Sequence, residues 1–421
     1  MWFGSIYEPP KGSHEQIIED IKRCNDANDL IRGCDANVDT MILMQAAAEA
    51  DNALISDASE KEQSGERERL SELISVRLAR MKELVYNDIS NNSASEGSFA
   101  IQISRALTQD YPLLFSKLLR LMPTVFVPFE ARKNIAAVFN FLLTGTTTSA
   151  MFGEYALAHY HELMTPIFAG FDSQLSPDTS LLCGTMFRAT LKHTVLHRKL
   201  LDSDQLNSAA AKTEQSVMST TDSSSQQHQQ EQQEAAQYNQ RISCHETYLY
   251  PLLEKYVFVP NFDVASDALT TVREIFTGDT SIASEYLDRD YDAVFAKYNL
   301  MLQSDSYVTK RMSLKLLGEI LLNRSNFNVM MKYISSRDNL KIIMCLLCDP
   351  SGNIQFEAFH VFKIFVANPN KPPQITKVLA QNKVKLVAYL DQFHKDKESS
   401  DEQFRDEKNL LISTLSGTED A

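Results

Sequence analysis

The sequence has little glycine and no extended alternation of β-branched and polar residues. Only 13 of its 421 residues are glycine. Tight hairpin turns depend on glycine, and half-buried strands depend on such alternation, so a protein built mainly of sheets is disfavoured. Leu, Ala, Glu, Lys and Met recur instead, and these residues favour helices. We therefore predict an all-α chain.

Cysteine is also sparse, and long apolar runs are missing. The six cysteines are scattered through the chain, whereas small secreted domains held by disulfides have them at much higher density. No apolar run reaches the roughly 18 residues that a membrane helix needs. The first residues lack the charged segment and apolar core of a secretory signal. We expect a cytoplasmic protein without a membrane span.

The chain has fewer basic than acidic residues. The chain has 41 Lys and Arg against 55 Asp and Glu, which gives a formal net charge of −14. Phosphate backbones and anionic lipids repel such a protein. We expect no nucleic-acid partner.

Sequence patterns of common enzyme sites are missing as well. The chain contains no phosphate-binding glycine loop, no GxSxG or HExxH motif and no kinase catalytic loop. We therefore predict a protein that is not an enzyme, with no catalytic residues and no cofactor.

One acidic motif imitates a calcium loop. Asp288, Asp290 and Asp292 have the spacing of its first ligands. However, Ala293 stands where the loop needs glycine, and Asn299 stands where it needs a bidentate Glu. We interpret the three aspartates as a solvated helix face.

Two further motifs imitate metal or redox sites. Cys345 and Cys348 have a zinc-like or thioredoxin-like spacing, but further ligands and a βαβ context are missing. We interpret residues 340–348 as a buried helix in which both cysteines are small apolar residues. His193 and His197 lack a third ligand, and we interpret them as surface or groove histidines. No metal site is predicted.

A repeat organises the second half of the chain. Residues 262–276, 307–321 and 352–366 start 45 residues apart, and their apolar positions superimpose. The shared stripe is Ala268, Leu269, Val272 and Ile275, then Ser313, Leu314, Leu317 and Ile320, then Ala358, Phe359, Phe362 and Phe365. Helical repeats of about 40 to 47 residues are typical of armadillo and HEAT arrays. We predict an armadillo/HEAT-like helical-repeat solenoid.

Two earlier copies of the repeat begin at Phe129 and Pro177. Between them and the later copies, residues 203–242 are rich in Gln, Ser and Thr. Such a segment buries too little apolar surface to order itself, so we predict a disordered insertion there, with a Gln-rich solvated helix as the alternative. The predicted organisation is an N-terminal helical cap (1–100), helical repeats (101–202), the insertion (203–242), and C-terminal helical repeats with a cap (243–421).

Several segments carry a family resemblance. They are residues 307–319 (YVTKRMSLKLLGE), 338–342 (DNLKI), 353–371 (NIQFEAFHVFKIFVANPNK) and 401–408 (DEQFRDEK). All resemble the calcium-binding protein 39 (mouse protein-25) family. The likeness is close over residues 244–415 and loose over 65–200. It implies a curved stack of helical repeats whose concave face holds a kinase or pseudokinase in its active-like conformation.

The resemblance also implies two sets of partner-binding residues. The concave face would use Phe262, Tyr307, Arg311, Lys315 and Arg324. A second pocket, which in the family captures a Trp-Glu-Phe tail of the pseudokinase, would use Lys341 and Met344. A nearby position that is basic in relatives is Gln381 here.

The residues themselves support part of this assignment. Lys310, Arg311 and Lys315 form a basic cluster in an acidic chain, and aromatic and Arg side chains dominate protein interfaces. A solvated helix face is the alternative.

The function implied is a non-catalytic scaffold that binds and allosterically activates sterile-20-type protein kinases or a pseudokinase–kinase complex. The alternative is a helical-repeat adaptor for trafficking or complex assembly without kinase partners. The sequence leaves the oligomeric state open.

Overall fold

The structure, a computed structural model, describes residues 13–50, 57–90, 98–124, 126–172, 176–201 and 243–417. Every regular element within these ranges is a helix, which confirms the all-α prediction. The chain forms two compact units, Met1–Leu200 and Leu201–Ala421. The insertion predicted at 203–242 lies outside the described residues.

The first unit is built from ten described helices, the last of which ends at the unit boundary. They are α1 (His14–Arg23), α2 (Ala27–Ala50), α3 (Asp57–Ser90), α4 (Phe99–Arg105), α5 (Leu114–Leu121), α6 (Phe129–Thr144), α7 (Ser149–Ala158), α8 (Tyr160–Phe171), α9 (Pro177–Leu191) and α10 (Thr194–Leu201). Helix α3 packs against α6, and α6 packs against α9. Helices α6 and α9 are the two earlier copies of the repeat, as predicted.

An aromatic cluster forms the centre of this unit. The rings of Phe115, Phe139 and Phe152 meet edge to face, with centroid distances of 5.8, 5.5 and 5.7 Å. All three side chains are fully buried. Pairs of this geometry add about 0.5–1.5 kcal/mol beyond the area they bury.

The second unit has eleven described helices. They are α11 (Tyr250–Glu254), α12 (Phe262–Thr277), α13 (Thr280–Arg289), α14 (Tyr291–Leu302), α15 (Tyr307–Leu322), α16 (Phe327–Ser335), α17 (Arg337–Leu347), α18 (Gly352–Ala367), α19 (Pro373–Gln392), α20 (Lys395–Glu398) and α21 (Glu402–Ser416). Helices α12, α15, α18 and α21 pack in series, and we call them the first ladder. A second ladder runs through α11, α14, α17 and α19.

The 45-residue repeat appears as a repeated helix. Helices α12, α15 and α18 have 16 residues each and begin at equivalent positions of the three copies. Every residue of the predicted stripe is at most 2% exposed. Each fully buried Leu, Ile or Phe contributes about 1.5–3 kcal/mol of burial free energy. The helical-repeat prediction is confirmed.

The interpretation of the two cysteines is wrong. Cys345 and Cys348 are both exposed. The inward side of α17 is formed by Leu340, Ile343 and Leu347, and the 3.6-residue period then places the cysteines outside. The uninterrupted apolar run concealed this period.

The interpretation as surface or groove histidines is wrong for His197. His197 is fully buried, and His193 is half-buried. The Nε2 atom of His193 donates to the carbonyl of Leu143.

A helix that spans a membrane must be both long and apolar. No single helix in the described part of the chain meets both requirements. Helices α6 and α7 meet them together by length and composition alone, with a bend of 108° between them.

Candidate partner-binding site

Helix α15 presents a row of exposed side chains. It begins after Ser306, whose Oγ accepts a hydrogen bond from the backbone N–H of Thr309, so Tyr307 opens the first turn. Tyr307, Arg311 and Lys315 follow at intervals of four residues and are exposed. At about 100° per residue, they fall within an arc of about 80°. They therefore share one face of the helix.

Phe262 is the first residue of the neighbouring helix α12, the position that Tyr307 occupies in α15. The Arg273 side chain of α12 contacts the Glu319 carboxylate of α15 at 2.8 Å, 46 residues along the chain. The same offset places Phe262 beside the start of α15, where Tyr307 lies. Phe262 is 62% exposed and Tyr307 44%. We call the exposed surface formed by Phe262, Tyr307, Arg311 and Lys315 the ladder face.

Hydrogen bonds hold the Tyr307 phenol. Arg311 Nη1 donates to its oxygen at 3.4 Å, and Asn353 Nδ2 of α18 donates at 3.2 Å. The bond from Asn353, followed by the charge of Arg311, lowers the pKa of Tyr307. The phenol thus connects two consecutive repeats while its ring remains exposed.

The cations of this region lack anionic partners. Among the described residues, Arg311, Lys315 and Arg324 make no salt bridge. By contrast, Arg273 contacts Glu319 at 2.8 Å, and Lys332 contacts an Asp carboxylate at 2.6 Å. Arg311 and Lys315, one turn apart on α15, and Arg324 beyond the end of that helix can therefore accept acidic groups from a partner.

Arg324 lies in a short 3₁₀ turn, Arg324–Asn326, that follows α15. Two large apolar side chains flank it, and both are exposed: Leu322 at 66% and Phe327 at 60%. Leu322 lies 15 residues after Tyr307, so helical geometry places it within the arc of the ladder face. Sequence reasoning missed both residues. The signal available was their position beside a helix end, where apolar residues often escape the core.

Lys310 does not belong to this surface. Its Nζ contacts the Asp349 carboxylate at 3.1 Å, and the side chain is largely covered. The basic cluster proposed from sequence is therefore divided, because adjacent residues of a helix point about 100° apart. Arg311 and Lys315 remain on the ladder face.

A separate cavity of about 600 Å³ lies between α14 and α17 of the second ladder, and we call it the outer groove. Its lining comprises Leu302, Gln303, Lys310, Asp338, Lys341, Ile342, Cys345, Leu346 and Asp349. Lys341 Nζ contacts Asp338 Oδ1 at 3.1 Å. The groove combines an apolar strip with paired charges at its rim.

Met344 lies one turn beyond Lys341 on α17, is half-buried and is not among the residues that line the outer groove. Gln381 is exposed on α19, which packs against α17. The two residues predicted for the tail pocket therefore share a helix, but only Lys341 belongs to the groove.

Two aspartates of the calcium-like motif, Asp288 and Asp290, form ion pairs. Lys332 Nζ contacts Asp288 Oδ1 at 2.6 Å and lowers the pKa of that carboxyl group. Arg289 contacts Asp290 at 2.7 Å. In the part of the chain that the structure describes, no three His, Cys, Asp or Glu side chains are placed to hold a metal ion.

Comparisons with known proteins agree on one family. A family model described as Mo25-like matches residues 43–418. The human protein named calcium-binding protein 39-like is 34% identical over 358 residues, which covers 84% of this chain and 89% of the human one. MO25-like protein 2 of Caenorhabditis elegans is 38% identical over 292 residues, covering 68% of this chain and 71% of that protein.

Among solved structures, the designed armadillo repeat protein YIII(Dq)4CqI aligns with 70% of this chain and 94% of its own, at a TM-score of 0.35 and 11% identity. The sequence matches are far stronger and extend over both units. They confirm the resemblance found in the repeat segments, and the chain belongs to the Mo25-like family.

Proposed function

We propose that this chain is a non-catalytic cytoplasmic scaffold that binds and allosterically activates a sterile-20-type protein kinase, alone or within a pseudokinase–kinase complex. Membership of the Mo25-like family supports a scaffold. The ladder face supports a folded partner, because its side chains come from successive repeats and span more than one helix.

The observation that carries the proposal is the set of unpaired cations beside exposed aromatic rings. Arg311 and Lys315 lie on the face that contains Phe262 and Tyr307, and Arg324 lies next to Phe327. Aromatic and Arg side chains supply most of the binding energy in protein interfaces. A partner surface with acidic groups and an apolar ridge would be complementary to this arrangement.

Activation would follow from selective binding. A kinase exchanges between inactive and active arrangements, and a scaffold shifts this equilibrium only by the difference between its affinities for the two. Moving the population from 1:99 to 99:1 requires a difference of about 5.5 kcal/mol. The packed ladders hold the ladder face in a fixed geometry, which favours the one arrangement that fits it.

The second contact would involve α17. We propose that Lys341 and Met344 take part in binding a short tail that contains aromatic and acidic residues. Lys341 would pair with an acidic group of the tail in place of Asp338, and the flexible thioether of Met344 would adapt to an aromatic ring.

Affinity purification of the tagged full chain from its native cell, followed by mass spectrometry, tests the proposal. Protein kinases or pseudokinases should be the strongest partners of the wild type. The double variant Arg311→Ala, Met344→Ala should lose them. Recovery of cargo or coat proteins instead of kinases would contradict the proposal and favour a trafficking adaptor.

A further inference from the structure

Two of the six cysteines differ from the rest in exposure. Cys345 and Cys348 are exposed, Cys24 is half-buried, and the remaining three are buried. All six are free thiols. The exposed pair therefore combines solvent access with close spacing on one helix.

The end of α17 brings these two side chains together. The backbone N–H of Cys348 donates to the carbonyl of Cys345 at 3.1 Å, and Asp349 donates to Leu346 at 3.1 Å. These bonds connect residues three apart, so the last turn is 3₁₀, and in that geometry side chains three residues apart are eclipsed. The two Cβ atoms therefore point the same way along the helix.

The separation also suits a covalent bond. Residues three apart have Cα atoms about 5 Å apart in an α-helix and about 6 Å apart in a 3₁₀ turn. Both values lie within the range of about 4.4–6.8 Å observed for disulfides. Cys348 is the C-cap residue, with φ −101° and ψ 14°, so its backbone is already outside the regular helix and can adjust at low cost.

We propose that Cys345 and Cys348 form a reversible disulfide within α17, which makes this helix end a thiol redox site. Its reaction partner would be a small-molecule disulfide of the glutathione type. The inference does not rest on the proposed kinase-scaffold function.

The disulfide would form in two thiol–disulfide exchange steps. The Cys345 thiolate attacks one sulfur of the small disulfide, forming a mixed disulfide and releasing one thiolate. Cys348 then loses its proton and attacks the Cys345 sulfur, which expels the second small thiolate. Two protein thiols are oxidised to a disulfide, and the small disulfide is reduced to two thiols that take up the two protons.

The surroundings of the two sulfurs favour this order of events. Cys345 lines the outer groove, whereas Cys348 does not. Burial, followed by the charge of Cys345, raises the pKa of the Cys348 thiol. Cys345 is thus suited to attack first and Cys348 to resolve the mixed disulfide.

Oxidation would change the lining of the outer groove. The Cys345 sulfur would turn toward Cys348 and away from the other residues that line the groove. A ligand of the groove would therefore meet a different surface in the oxidised protein.

The test uses the purified full chain in buffers of increasing oxidised-to-reduced glutathione ratio, quenched with an alkylating reagent and analysed by peptide mass spectrometry. In the wild type, Cys345 and Cys348 should lose alkylation together, and their peptide should lose two hydrogens. Cys345→Ser and Cys348→Ser should each carry a glutathione adduct on the remaining thiol. Cys24→Ser should behave as the wild type.

Two results would overturn the proposal. One is a wild-type peptide that carries separate glutathione adducts on Cys345 and Cys348. The other is a pair that stays fully alkylated in excess oxidised glutathione. Both substitutions are at exposed positions, so thermal melts matching the wild type would show that folding is not the cause.

Discussion

Arg311 donates a hydrogen bond to the phenol oxygen of Tyr307, one helical turn earlier, with a distance of 3.4 Å between the two atoms. The same oxygen accepts a bond from Asn353 of the next repeat at 3.2 Å. The guanidinium is therefore oriented by the phenol and, among the described residues, makes no salt bridge. An Arg side chain held in this way loses less conformational entropy when a partner binds.

Removal of the Tyr307 hydroxyl should weaken partner binding without affecting the fold. Tyr307→Phe keeps the exposed ring but releases Arg311 and Asn353 from the phenol. Ordering the released Arg311 side chain on binding costs about 0.5–1.5 kcal/mol, which corresponds to a Kd roughly twofold to tenfold higher. Isothermal titration with the purified partner measures the change, and an unaltered Kd would show that the phenol does not orient the guanidinium.

Truncation of Phe327 should have a larger effect. This ring is 60% exposed next to Arg324, and large aromatic anchors contribute about 2 kcal/mol or more to interfaces. Phe327→Ala should therefore raise Kd by roughly thirtyfold, with an unchanged melting temperature.

The matched control for that variant is Leu43→Ala. Leu43 is also a large apolar side chain, 70% exposed, on α2 of the first unit. Its truncation should leave Kd unchanged. Equal losses for the two variants would mean that the effect of Phe327 is not specific to the surface beside Arg324.

The fold was accessible from the sequence because burial follows helical periodicity. The stripe through Leu269, Leu314 and Phe359 is repeated at a fixed interval, and each of these residues is buried. Periodicity did not predict the orientation of the end of α17. The residues around Cys345 are all apolar, so their pattern does not indicate which positions face outward. A run without polar residues does not define the orientation of a helix.

Only part of the candidate site could be predicted from the sequence. Tyr307, Arg311 and Lys315 follow one another at helical spacing, so their common face can be deduced from the sequence. The separation of Lys310 from them also follows from helical spacing, because adjacent residues point about 100° apart. Its ion pair with Asp349, which lies 39 residues away, does not. Contacts across repeats of this kind are not encoded in local spacing.

Loss of one buried hydroxyl should destabilise the second unit. Thr309 is fully buried, and its Oγ1 donates to the carbonyl of Val257 at 2.8 Å. Thr309→Val keeps the shape but leaves that carbonyl unpaired, at a cost of about 1–3 kcal/mol. Urea denaturation should show a lower midpoint with an unchanged slope.

Thr270→Val is the control for this experiment. The Thr270 hydroxyl donates to the carbonyl of Ser266 in its own helix at 2.9 Å, and that carbonyl retains the helical backbone as a partner. Its midpoint should change far less than that of Thr309→Val. Equal changes would indicate that the bond to Val257 contributes nothing beyond side-chain shape.

Stability should fall on mild acidification. Burial lowers the pKa of His360 and of His394 below the ordinary value of 6.5. The folded protein therefore binds fewer protons than the unfolded chain in this range, so stability increases with pH and decreases as the pH falls below 6.5.

The double variant His360→Gln, His394→Asn isolates this effect. Urea midpoints measured one pH unit above and one below 6.5 should differ less for the variant than for the wild type. An identical difference would show that these two imidazoles do not carry the pH dependence.

We propose that the ladder face activates a kinase by binding it. The most direct measurement is the activity of a purified sterile-20-type kinase as a function of added full-length chain, for wild type, Arg311→Ala and Lys395→Ala. Lys395 is an exposed lysine on α20 and is not one of the residues that form the ladder face. Wild type and Lys395→Ala should raise activity to the same plateau at the same concentration, whereas Arg311→Ala should need at least about tenfold more, equivalent to about 1.4 kcal/mol. Activation by Arg311→Ala that matches the wild type, or no activation by the wild type itself, would contradict the account.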